Sequence, residues 1–137
     1  MTGASWMTKR FRIAIAAAGC AAASVVAAAD FDGSKPLLCA SHVAIECTPG
    51  ALCLQGTPFD MGAPAFMRID FAGKIVAGPE RTSPITAIEK SDTQLLIQGT
   101  ELGFAWAIAL DQASGSMVAT ATDRDGAFVI HGACTPL

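Results

Sequence analysis

The sequence has no tyrosine, two histidines and only 15% charged residues, and each shortage removes a class of function. Histidine-dependent catalysis has only His42 and His131 to draw on, with no Gly-x-Ser-x-Gly elbow to present a serine. Ser41 beside His42 carries no such signal, because neighbours on an extended chain point opposite ways. No Cys-x-x-Cys occurs, which disfavours a thioredoxin-like redox role. The segment Gly99–Gly103 is too short and too acidic to cradle phosphate. Basic residues are scarce where they would matter. Of nine Lys and Arg, three (Lys9, Arg10 and Arg12) fall in the first 29 residues, which hold no acid. Residues 30–137 thus set six basic against twelve acidic side chains, a net of −6. That balance excludes nucleic acid as a partner, since phosphate binding needs clustered Lys and Arg. At 52% hydrophobic the chain is also far too apolar for intrinsic disorder.

What is present begins with an export signal. The cationic stretch 8–12 is followed by seventeen uncharged residues, Ile13 to Ala29, ten of them alanine. The run ends with Ala27 and Ala29 at the −3 and −1 positions of a small-residue cleavage site. Basic, apolar and A-x-A parts in that order read as a secretory signal peptide over 1–29, leaving one domain over 30–137. Two other readings fit the same residues: an uncleaved anchor, weak because alanine is barely hydrophobic, and a lipoprotein with Cys20 acylated. All three place residues 30–137 outside the cytoplasm, in the periplasm or secreted, and the membrane is met only through the signal segment.

Removing the signal leaves Cys39, Cys47, Cys53 and Cys134, an even number in an exported chain, for which two disulfides are the expectation. Four cysteines allow three pairings. The Pro49-Gly50 turn inside Cys47–Cys53 favours closing that short loop, leaving Cys39 for Cys134 and a loop of about 95 residues, worth about 4–5 kcal/mol. A metal reading would use Cys39, His42, Cys47 and Cys53, but their spacing matches no zinc pattern, so no metal and no cofactor is expected.

The pattern of residues 30–137 predicts an all-β fold. Pro36, Pro49, Pro58 and Pro64, with Gly33, Gly50, Gly56 and Gly62, break up the first third, residues 30–64, which is expected to be irregular and held by disulfides. Within it, 37–47 admits a short strand or a helical turn. From residue 65 onward short β-prone runs alternate with turns: 65–71, 74–77, 85–90, 93–99, 104–110, 116–122 and 127–133. Six to seven short strands predict a small antiparallel meander, barrel-like or a curled sheet. Asp125-Gly126 reads as a positive-φ hairpin turn. Asp30–Gly33 and Asp123–Gly126 each resemble half a calcium loop but lack the later acidic ligands, so they read as turns. In 104–110, Phe104, Trp106, Ile108 and Leu110 share a face that belongs in the core. The facing row Ala105, Ala107 and Ala109 calls for a covering segment, for which the first third is the candidate, or is a shallow apolar surface.

The ordered set Asp32-Gly-Ser-Lys-Pro-Leu-Leu-Cys39, the Cys47–Cys53 loop, Pro64–Asp70, Leu95–Gly99, Gly103–Trp106, Ala109–Asp111 with Ser114-Gly115, and Phe128–Cys134 is similar to a group of small exported proteins of proteobacteria. The resemblance spans nearly all of 30–137. It implies an extracytoplasmic domain with paired cysteines, and it implies no catalytic or binding residues.

These observations lead to a non-catalytic envelope domain that acts by binding or as an accessory factor, its partner a protein or a small apolar ligand. Phe104 and Trp106 are the candidate ligand-lining residues, although a tryptophan on that face also serves simply to fill a core. An inhibitor of a periplasmic or host enzyme is a further form, with the 47–53 loop as its contact. A hydrolase would need His42 or His131 beside a nucleophile.

Overall fold

The computed structural model describes residues 30–137, and both the signal-peptide reading and the lipoprotein reading at Cys20 fall outside them. The described chain is all β, in nine strands: β1 (Leu37–Cys47), β2 (Leu54–Gly56), β3 (Phe66–Asp70), β4 (Ile75–Ala77), β5 (Thr82–Lys90), β6 (Gln94–Glu101), β7 (Phe104–Asp111), β8 (Ser116–Thr122) and β9 (Ala127–Pro136). The seven runs expected after residue 65 are β3 to β9. The two further strands come from the first third.

β1 is the longest strand, and it organises the sheet. Its first half pairs with β3 and its second half with β2 along the same edge, while its other edge pairs with β9 throughout. The β1–β9 ladder closes an antiparallel barrel of eight strands, with β2 as an extra strand beyond it. Closure removes free edges, which would otherwise recruit other chains. The side-chain alternation of β1 changes phase at a bulge between Ser41 and Val43. Leu37 and Cys39 point inward before it and Ala44 after it, all fully buried. His42 is the extra residue, and a one-residue insertion of this kind is what moves a strand's inward set to the other parity.

Inward alternation fills the barrel with aliphatic side chains. Leu37, Ile69, Leu95, Ile97, Leu110 and Met117 are essentially inaccessible. On β7 the expected core face holds for Ile108 and Leu110, while Trp106 is half-buried and packs against that core. The indole lies flat on Gly99 of β6, its cross-strand partner, where any Cβ would overlap the ring and the Pro84 carbonyl. Trp106 Nε1 donates to Ser83 Oγ at 2.7 Å, which gives the buried serine hydroxyl and the indole N–H a partner.

The two barrel mouths are closed differently. At the lower mouth, 30–36 folds across the opening: Phe31 lies on Gly115, Lys90 Nζ donates to the Asp32 carbonyl at 3.0 Å, and Leu137 N donates to the Pro36 carbonyl at 2.9 Å. At the upper mouth the loop 57–65 brings Met61 and Ala63 against the core. The first third therefore supplies a stave and two closures rather than a cover for the alanine row. Ala105 is exposed and Ala107 and Ala109 half-buried on the outside of the barrel, a shallow apolar surface.

Both disulfides are formed. Cys39–Cys134 joins residues directly opposite each other in the β1–β9 ladder and seals the closing seam. Cys47–Cys53 closes a small loop around Pro49-Gly50, where Gly50 has φ +75° and Ala51 N donates to the Thr48 carbonyl at 3.2 Å. The Asp125-Gly126 turn differs from expectation. Gly126 is not left-handed. Glycine is required there because a Cβ would lie 2.7 Å from the Cys47 carbonyl oxygen.

Candidate binding surface

The two histidines stand on separate strands, β1 and β9. His42 is exposed at the bulge, and His131 sits half-buried on the outer face of β9, opposite Val43 on one side and Val118 on the other. Ser41 Oγ is buried beside the bulge with no hydrogen-bond partner, His42 included. The set Cys39, His42, Cys47 and Cys53 is not assembled as a metal site, since all its thiols are in disulfides. Among the described residues no group of three or more His, Cys, Asp or Glu comes together as a ligand set.

The half-calcium motifs are turns. Asp123 Oδ1 accepts from Asp125 N at 2.9 Å and Gly126 N at 3.0 Å, and Asp32 Oδ1 accepts from Ser34 N at 2.9 Å. Asp111 does the same for the β7–β8 loop, accepting from Ser114 N at 2.7 Å, Ser114 Oγ at 2.8 Å and Ala113 N at 3.0 Å. These donors favour the ionised form: Ser114 chiefly, then Ala113, holds the Asp111 carboxyl below its ordinary pKa, and Ser34 does so for Asp32.

Phe104 and Trp106 lie on β7 near the upper mouth, both half-buried. Two shallow grooves of the described surface are lined by other residues. One, of about 250 Å³, runs over the outside of the closing seam between Leu38, Ala40, Phe66 and Ala133. The other, of about 340 Å³, lies at the upper end between Glu46, Thr48, Ala51, Leu52 and Leu54.

The upper end is where apolar side chains face water. Every residue from Thr48 to Gln55 is exposed. Leu52 (88%), Leu54 (62%), Phe59 (89%) and Leu102 (75%) are the most exposed large hydrophobic side chains that lie in loops or short strands of this end. Three come from the stapled loop, β2 and the following loop; the fourth comes from the β6–β7 turn, which the topology places at the same mouth. Leu102 is held at φ +48°, followed by Gly103 at φ +91°. Two successive positive φ angles make a type I′ turn, whose first position suits Asn or Asp and is unfavourable for leucine.

Leu52 lies in the 47–53 loop that the sequence offers as an inhibitor's contact, while Leu54, Phe59 and Leu102 are not singled out by it. The available signal was leucine or phenylalanine at turn positions, Leu102 before Gly103 and Phe59 after Pro58, where polar residues are usual.

No family model matches the chain, and no curated protein or solved structure matches it.

Proposed function

We propose that this protein is an exported, non-catalytic β domain of the cell envelope that works by binding a partner through the loops of its upper end. The observation that carries the reading is the exposure of Leu52, Leu54, Phe59 and Leu102 together at one mouth of a closed barrel. Large apolar side chains left exposed at one end of a scaffold that has its own core are a mark of interaction sites. The stapled 47–53 loop adds preorganisation, because a loop already fixed needs little further ordering on binding. Were the partner an enzyme, the domain would be an inhibitor, and the exposed stapled loop suits that role.

Two disulfides are compatible with an oxidising compartment outside the cytoplasm. The signal-like first 29 residues and the likeness to small exported proteobacterial proteins support the periplasm or the medium as the finer address. The interior is aliphatic and filled, the reverse of the polar lumen of a membrane-spanning barrel, which supports a membrane role limited to the export segment.

A photo-crosslinking residue at Leu52, compared with one at Asp92 on the opposite end, tests this in exporting cells. A discrete adduct from position 52 and none from position 92 is expected. No adduct from either position would overturn the reading. Intact mass of the same material tests the address: a chain starting at Asp30 that gains four hydrogens on reduction is expected, and a lipid-modified Cys20 would replace it with a tethered form.

A further inference from the structure

We infer that the upper end receives a partner segment that is both apolar and basic, with a Lys or Arg side chain laid in the groove between Leu52, Leu54 and Glu46; this rests on the binding reading above. Charge complementarity selects that partner. The loops and strand ends of the upper end carry six carboxylates, Glu46, Asp60, Glu80, Glu101, Asp123 and Asp125, against two cations, Arg81 and Arg124. Arg124 and Asp125 pair with each other at 3.4 Å, which leaves five carboxylates against Arg81. All three lysines of the described residues, Lys35, Lys74 and Lys90, lie toward the other end, and Lys35 and Lys90 pair there with Asp30 and Asp32.

Glu46 is the pivot. It is the next-to-last residue of β1, paired across the ladder with Leu54, and it is half-buried in the groove wall beside Ala51, Leu52 and Leu54. Among the described residues it makes no ion pair. An apolar trough with one carboxylate at its side matches a long aliphatic stem with a cationic head. Leu102 points to the same selection from another direction. An exposed leucine kept in a left-handed turn position costs folding stability, and such strain is a mark of a residue retained for contact.

The same charge excludes the other occupants of an apolar patch. A second copy would bring one acidic rim against another, and an anionic lipid surface would be repelled.

The test uses the exported, oxidised protein and two short synthetic peptides of equal length, one of leucine and lysine, one of leucine and glutamate. Binding is followed by fluorescence anisotropy and mapped by amide shifts. The lysine peptide is expected to bind, more weakly as salt rises, with shifts centred on Leu52, Leu54, Phe59 and Leu102. Glu46→Gln should weaken it by roughly two- to fivefold, the scale of a partly exposed ion pair. Leu52→Ser with Phe59→Ser should weaken it by about tenfold or more, as expected when hot-spot side chains are lost. Leu102→Ser serves as a second variant should the double change disturb the loop. Equal binding of the glutamate peptide, shifts centred on the Leu38–Phe66 groove, or self-association through the upper end would each overturn the inference. A lysine peptide that does not bind, while crosslinks at position 52 persist, would overturn the partner chemistry and leave the binding reading standing. Loss of both would overturn both.

Discussion

The two disulfides close loops of very different size, and this fixes how unequally their removal should act. Cys39–Cys134 links positions 95 apart in sequence and Cys47–Cys53 positions six apart, the latter closing a loop of seven residues. In the chain-entropy model the first restricts the unfolded chain by about 4.7 kcal/mol and the second by about 2.4 kcal/mol. A transition entropy of about 2.1 cal/mol/K per residue gives about 0.23 kcal/mol/K for the 108 residues from Asp30 to Leu137. Replacing both cysteines of the seam by alanine should therefore lower Tm by about 20 °C. Replacing both cysteines of the small loop should lower it by about 10 °C. Burial widens the gap, because Cys39 is fully enclosed and its lost sulfur leaves a void, whereas Cys53 is exposed. Melting of the oxidised parent and the two double variants, followed by far-UV circular dichroism, measures it directly. Equal losses, or a larger loss from the small loop, would refute the assignment of the seam as the main covalent constraint on the barrel.

Other perturbations read out separate features. Gly99→Ala drives a methyl into the Trp106 ring and the Pro84 carbonyl. It should cost about 1–3 kcal/mol in urea unfolding and shift tryptophan emission; an unchanged midpoint would show that the packing is not tight. Leu102→Asn relieves the left-handed backbone and should stabilise by about 1 kcal/mol, while Leu102→Ala keeps the strain and should not. Equal effects of the two would mean that apolar exposure, and not the turn, governs that site. Asp111 has its carboxyl pKa lowered by Ser114 and Ala113. A depressed acid contributes its stability above the unfolded value, near 3.9, and loses it as pH falls through the folded one. Asp111→Asn should accordingly flatten the fall in Tm below about pH 4 without changing its sign; an identical acid profile in parent and variant would sink the assignment.

How much of this was legible depended on what fixes each feature. Period-two alternation marks a strand wherever one face is buried, so β3 to β9 are readable from runs such as Met67, Ile69, Phe71 and Phe104 to Leu110. The pairing of cysteines was readable as well, because Pro49-Gly50 dictates a tight local turn. β1 was not, since its inward set changes parity at His42 and its alternation over Leu37–Cys47 is broken at the centre. A bulge is set by the partner strand, here β9, and no local pattern announces it. Gly126 shows the same limit in a turn: its constraint is the Cys47 carbonyl, 79 positions away in sequence, and not its own φ. The candidate surface was hidden for a related reason. Phe59 and Leu102 stand out locally only as apolar residues at turn positions, and nothing local says that the topology brings their loops to the same mouth as Leu52.

That gathering explains why the chain keeps features that a stability argument alone would remove. The barrel already has a filled core, a sealed seam and two closed mouths, so the four exposed side chains of the upper end add nothing to its interior. Water exposure of leucine and phenylalanine is tolerable singly, but four at one end, one of them in a turn position that disfavours it, is a concentrated liability. A stapled loop of seven residues also does little for the fold that the seam disulfide does not do better. Both make sense if the seam disulfide maintains the scaffold and the small one shapes a contact. Reducing the exposed Cys47–Cys53 bond alone should then loosen the loop and weaken binding of the leucine–lysine peptide while the barrel's circular dichroism persists. A parallel loss of the β signal would show that the two bonds share one role.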